Sequence, residues 1–178
     1  MSLTLAASSV SPVSFTQLSR AARRVSVGQV ERLTSYKDAQ SGRIFTTVEI
    51  RESHAVAGAS PPASFTFEMA GGTVGDVRQW IAGFPQLEAG DRVALFLAED
   101  TATPLGPTVG LWQGVFFLDG GKVLNHRRQV VVDIRGEELV VDDAASNKPG
   151  APARASAPAL TLDAFLSRIS ALRAGAGK

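Results

Sequence analysis

The chain is predicted to be mainly β, an OB-like antiparallel barrel carrying an amphipathic helix at each end. Three observations predict it. Short β-patterned segments separated by Gly- and Pro-bearing turns run from Val25 to Val141. One of them, the VALFLA stretch within Arg92 to Ala98, is a continuous apolar run suited to a central strand buried on both faces. Apolar residues recur at helical spacing only near the two ends.

Taken in order, Ser14 is the expected N-cap of a first helix, with Phe15, Leu18, Ala22 and Val25 on one side and Gln17, Arg20, Arg23 and Arg24 on the other. Val25 to Leu33 is β-rich, and Gly28 inside it marks a bulge or a close backbone approach. A turn at Tyr36 to Gly42 leads to the clearest strand, where Ile44, Thr46, Val48 and Ile50 share one face. After a break at Gly58 to Pro62, Phe65, Phe67 and Met69 alternate with Ser64, Thr66 and Glu68. Gly71 to Gly75 punctuates the chain, and Asp76 to Ala82 reads as a helical turn or an irregular excursion. Beyond the central strand and a loop at Glu99 to Pro107, Thr108 to Leu118 is read as one alternating strand. Asp119-Gly120-Gly121 then turns into Lys122 to Asn125, and Arg135-Gly136-Glu137 joins Gln129 to Ile134 with Glu138 to Val141.

This organisation divides the chain into a β domain with its N-terminal helix (14–142), an Ala/Pro-rich linker (143–160) and a C-terminal helix (161–174). The linker has no periodicity and the composition of an extended segment. Thr161 caps the last helix, whose Leu162, Phe165, Leu166, Ile169 and Leu172 form a stripe that must be buried, on its own barrel or on another chain. A linker of that length makes a homodimer by exchange of the C-terminal helix geometrically feasible.

Composition narrows function more by exclusion than by indication. The absence of cysteine from all 178 residues removes a disulfide framework, a thiolate zinc site and a cysteine nucleophile. The net charge is +1, with a local balance of +4 from Ala144 onward, too slight a basic bias for a nucleic-acid footprint. No run reaches the roughly 18 apolar residues of a membrane span. Met1-Ser2-Leu3 reads as a non-native leader before a trimmed start, as expected for an exported protein, periplasmic or extracellular, whose signal peptide is missing from this sequence.

No catalytic or metal-binding constellation emerges. His54 and His126 lie on separate segments without partners at ligand spacing, and His126-Arg127-Arg128 reads as a solvated turn. Asp142-Asp143 and Glu99-Asp100 lack the oxygen density that calcium needs. No cofactor is implied. Gly71, Gly72 and Gly75 lack the Lys-Ser/Thr and following helix of a phosphate loop, leaving a structural turn or a backbone-lined contact. Trp112, flanked by Gly110 and Gly114 on the face that alternation assigns to it, has two readings, as does Trp80. Either the indole covers backbone in the core, or it presents a flat surface to a peptide, glycan or protein. The expected role is a non-enzymatic binding or interaction module with Trp112, Trp80, Gly71, Gly72 and Gly75 as contact surface. The alternatives are a regulator or inhibitor of an exported protease acting through a loop and, with least support, a hydrolase.

The succession of a first helix, VSVGQV, GRIFTTVEI, GGTVGD, GFPQLEAGDRVALFL, TVGLWQGVFFL and a terminal TLDAFLSRI helix resembles a family of uncharacterised exported bacterial domains across nearly the whole chain. At the level of architecture, Val25 to Val141 resembles the OB-like barrels of netrin-like domains and tissue inhibitors of metalloproteinases. Those inhibitors chelate zinc through a disulfide-anchored N-terminal cysteine; this chain has no cysteine, so the resemblance implies the barrel without that chemistry.

Overall fold

A computed structural model describes residues 11–56, 63–81, 83–98, 106–142 and 158–175. Residues 143–157 of the expected linker, the whole of the Gly58 to Pro62 break, most of the Glu99 to Pro107 loop and the Met1 to Leu3 leader lie outside the described residues.

The fold is mainly β. Six antiparallel strands form one sheet in the order β3-β2-β1-β6-β7-β8. They are β1 (Arg24–Lys37), β2 (Ile44–Val56), β3 (Ser64–Ala70), β6 (Arg92–Leu97), β7 (Val115–Asp119) and β8 (Lys122–Leu124). Two small hairpins are attached, β4 (Gly72–Val74) with β5 (Val77–Gln79), and β9 (Val131–Arg135) with β10 (Glu138–Val141). Among the described residues no ladder joins β3 to β7 or β8, so the sheet stays open.

Long β1 and β2 form the backbone of the sheet, and two register slips decide which way their side chains face. Between the pairs Val27↔His54 and Gly28↔Glu52, Ser53 is an extra residue on β2; between Val30↔Ile50 and Arg32↔Glu49, Glu31 is an extra residue on β1. Because strand side chains alternate, one inserted residue flips all that follow to the opposite face. Glu52, Ile50, Val48 and Thr46 therefore face one way and Val56 the other. Gly28 sits at the first slip for a steric reason as well: a Cβ there would lie 2.6 Å from Arg51 O and from Ile50 Cγ2.

The two faces bury two cores. On one, α1 (Phe15–Ala21), α2 (Leu162–Ala174) and the β9-β10 hairpin cover Val25, Val27, Ala94, Phe96 and Phe116. Phe15, Phe96, Phe116 and Phe165 meet there with ring centroids 5.0 to 6.2 Å apart. On the other face the bent sheet encloses Val30, Val48, Ile50, Phe67, Leu95, Val115 and Phe117. Strand β6 feeds both, Ala94 and Phe96 to one core and Val93, Leu95 and Leu97 to the other, as its unbroken apolar run requires.

Both helices carry the expected caps. Ser14 closes a capping box with Gln17, and Thr161 Oγ1 accepts from the Ala164 N–H. Helix α2 seats Phe165 and Ile169 in the first core, and Arg173 donates to the carbonyls of Ser19 and Ala22, the last turn of α1.

Two local expectations are corrected. Thr108 to Leu118 is not a single strand: Leu111–Gly114 is a 3-10 turn, entered through Gly110 and Leu111 at positive φ of 64° and 60°, and only Val115–Asp119 is extended. Two consecutive left-handed residues break period-two alternation, so Gly110 and Gly114 do not flank Trp112 on a strand face. Asp76 to Ala82, read as a helical turn or an irregular excursion, begins instead with a two-residue Gly75-Asp76 loop into β5, the Gly-first signature of a tight hairpin.

Candidate functional site

The candidate site is built where β3 ends. Gly71 donates its N–H to Ile44 O at 2.8 Å, extending the β2-β3 pairing by one step before the chain turns into β4. Gly72, at φ +139°, lets the backbone run directly over the β1-β2 hairpin. A Cβ there would lie 2.3 Å from Thr46 Oγ1 and 2.5 Å from Ser35 Oγ. Those two hydroxyls face each other because Ser35 pairs with Thr46 in the hairpin register. They are 2.8 Å apart, and Thr46 Oγ1 donates to Gly71 O at 2.7 Å. From the other side Gln79 Oε1 accepts the Ile44 N–H at 2.9 Å, tying β5 to the start of β2.

These contacts form the polar floor of a cleft of about 270 Å³. Its walls are apolar: Leu33, Val48 and Met69 on the sheet side, and Ile81, Phe84 and Leu87 on the segment that leaves β5. Trp80 and Arg78 stand at the mouth. Trp80 is 64% exposed and Val77, on the same hairpin, 60% exposed; among the described large apolar side chains only Tyr36 joins them in being exposed. Tyr36 lies on the other face of β1, stacked on Phe45 at 6.1 Å and donating its hydroxyl hydrogen to Glu68; that bond raises its pKa.

Of the residues read from sequence as a contact surface, the structure brings Gly71, Gly72 and Trp80 together around this cleft. Gly75 caps the β4-β5 hairpin tip in open space. Trp112 lies outside the lining. It packs its ring against Phe84 at a centroid distance of 5.1 Å, and a Cβ on Gly83 would come within 3.0 Å of it. Trp112 thus supports the wall from behind, through Phe84.

Phe84, Pro85 and Gln86 also line a second, more polar depression of about 400 Å³ with Glu88, Asp91, Phe117, His126, Arg127 and Arg128. Arg128 is folded back: at φ 59° its guanidinium lies 3.9 Å from the centroid of the Phe117 ring and donates to Asp91 Oδ2 at 3.1 Å. Only Arg127 of the basic triplet is left facing outward without such a contact. Half-burial, with Arg127 adding to it, lowers the pKa of His126. His54, on the helix-covered side beside Asp163 and Ser167 of α2, lines neither of these depressions.

Among the described residues the cleft holds no activated group. The Ser35 hydroxyl has another hydroxyl beside it, with no histidine or carboxylate among the described lining residues to take its proton. Among the described residues no three His, Cys, Asp or Glu side chains converge as metal ligands. Sequence reasoning missed Ser35, Thr46, Gln79 and Leu87, whereas Phe84 stands among the aromatics that the sequence offers as either core or binding platform. The signal available for the first two was the hairpin register, which the turn at Asp38 to Arg43 sets and which places them opposite each other.

Compared with protein-family models, with curated proteins and with solved structures, the chain matches none.

Proposed function

We propose that this chain is a non-enzymatic binding module that acts outside the cytoplasm and takes one apolar or aromatic side chain of a protein or peptide partner into the cleft beneath Trp80. The observation that carries the reading is the exposure of Trp80 and Val77 on a hairpin anchored to the sheet through Gln79 and Gly72. Leaving a large indole in water is unfavourable unless something covers it, and a flat ring at the rim of an apolar slot is the usual form of an anchor pocket. At about 270 Å³ the slot lies just below the range of ordinary small-molecule sites, a size that suits one side chain.

The OB-like reading belongs to the same proposal. It rests on the order β3-β2-β1-β6-β7 and on a β1 whose slips let it serve two cores. The exported setting rests on the resemblance to exported bacterial domains.

The test is selection of displayed random peptides on the intact chain and on Trp80→Ala, with far-UV circular dichroism establishing that both are folded. A shared motif with an aromatic or aliphatic anchor that binds the native chain and loses at least tenfold in affinity on Trp80→Ala is the expected result. Selection of the same peptides by both proteins, or turnover in a broad hydrolase panel, would overturn the reading. Loss of activity of an exported protease on adding the chain would move it to the inhibitor class.

A further inference from the structure

We infer that the outer edge of β3 is a self-association surface on which a second copy of this chain pairs antiparallel, with Phe67 opposite Phe67 of the other copy. The argument starts from the direction of the backbone groups. Gly71 donates its N–H to Ile44 O, and Ala63 O accepts the Glu52 N–H, so residues 63 and 71 point their polar groups toward β2. Backbone groups alternate along a strand, so 65, 67 and 69 also point inward while Ser64, Thr66, Glu68 and Ala70 point theirs away from the sheet. Among the described residues strand β3 pairs with β2 alone, over seven residues and without a register shift.

The two edges of the sheet are treated differently. At the β8 edge, bridges Leu124↔Val130 and Lys122↔Thr161 lay the chain across the strand. Strand β3 has none of the usual protections: Ser64 to Ala70 contains no proline, no lysine and no bulge. Its single charge, Glu68, is drawn toward its own sheet by the Tyr36 hydroxyl.

The edge is also self-complementary in one register. Outward groups must meet outward groups, so the hydrogen-bonded pairs are Ser64 with Ala70 and Thr66 with Glu68, each formed twice about the two-fold axis. Four outward residues per strand, each with one donor and one acceptor, then close about eight hydrogen bonds. In this register Glu68 faces threonine, whereas a shift by two residues in one direction sets Glu68 against Glu68 and a shift in the other leaves Ala70 unpaired within the strand. On the inner face Phe65 meets Met69 and Phe67 meets Phe67, extending the second core, where Phe65 and Met69 are only half-buried, across the junction. A single strand pair buries less than a standard interface, so the dimer is expected to be weak, with Kd on the order of micromolar.

The chain contains no cysteine, so introduced thiols report the register without background. In the proposed pairing, Thr66 of one copy and Glu68 of the other have Cα atoms about 5.5 Å apart, inside the window for a disulfide. Like positions are about 7–8 Å apart, outside it. Mild oxidation of a mixture of full-length Thr66→Cys and Glu68→Cys should therefore yield a covalent dimer at least fivefold in excess of that from either variant alone. Sedimentation equilibrium of the native chain should show mass rising with concentration from 18.7 kDa toward twice that value. Thr66→Pro removes an outward N–H and no bond to β2, and should shift the dissociation constant at least tenfold while the circular dichroism spectrum is kept. A monomer at every concentration up to about a millimolar, equal cross-linking in all three samples, or a dimer undiminished by Thr66→Pro, as exchange of the C-terminal helix would give, overturns the inference.

Discussion

Glu52 and Arg24 offer the sharpest test of how the bulges set up the interior. Because Ser53 is the extra residue, Glu52 remains on the enclosed face with Ile50 and Val48, and its side chain is 0% exposed. Its partner Arg24, 20% exposed, pairs with Glu52 Oε2 and lies over the Phe65 ring at 5.9 Å. Glu52 Oε1 and Arg24 Nε are buried without a hydrogen bond, so the pair is incompletely satisfied. Removing one member of a buried ion pair costs about 3–5 kcal/mol, because the other is left uncompensated, while replacing both by apolar residues is neutral or stabilising. The two single variants should differ. Glu52→Leu leaves a guanidinium that reaches water through its exposed fraction, and should cost near 3 kcal/mol; Arg24→Met leaves a fully enclosed carboxylate, and should cost near 5 kcal/mol, both order-of-magnitude values. At about 2–4 °C per kcal/mol for a chain of this size, the Tm falls by about 6–20 °C. Urea unfolding followed by circular dichroism measures both, and the double variant should return to within about 1 kcal/mol of the native chain. Single losses below about 1 kcal/mol, or a double variant as destabilised as the sum of the singles, would refute the assignment of Glu52 to the interior.

Gly72→Ala should cost about 2–4 kcal/mol, since a positive φ and a Cβ overlap with two hydroxyls coincide there. Gly75→Ala, at φ +58° with open space around it, should cost only about 1–2 kcal/mol; thermal unfolding of the two compares them directly. His126 makes stability pH-dependent. Its pKa in the folded chain lies below the ordinary 6.5, so the unfolded chain takes up the proton first. Its contribution is fully present above that value and is lost as pH falls from 6.5 toward the lower folded value. Tm measured from about pH 7.5 to 5.5 should decline, and His126→Asn should flatten the decline.

Elements whose patterning matches their period were legible in the sequence. Ile44 to Ile50 and Phe65 to Met69 alternate and form β2 and β3, and the unbroken apolar run of β6 serves two cores as its composition demands. The Ser14 and Thr161 caps were equally plain. What hid was whatever depends on backbone at positive φ. Leu111 adopts φ 60° within a run, TVGLWQGVFFL, in which alternation leaves both faces partly apolar, so the apolar pattern did not mark the 3-10 turn that carries Trp112. Gly71, Gly72 and Trp80 could be named individually, but their convergence depends on Ser35 meeting Thr46, a register set by the turn at Asp38 to Arg43, and on Gly72 crossing over that pair at positive φ.

The cleft owes its outer wall to the segment from Trp80 to Asp91. It is anchored at its far end, where Val30 donates to Asp91 O and accepts from the Gly90 N–H, both at 2.8 Å. Between these anchors Phe84 to Gln86 line both depressions, with Met69 of β3 facing one and Phe117 of β7 the other. Leu87 enters the core that β3 and β7 share. The segment thus builds the wall of the slot beneath Trp80, so substituting Trp80 should change the cleft and leave the unpaired edge of β3 as it is.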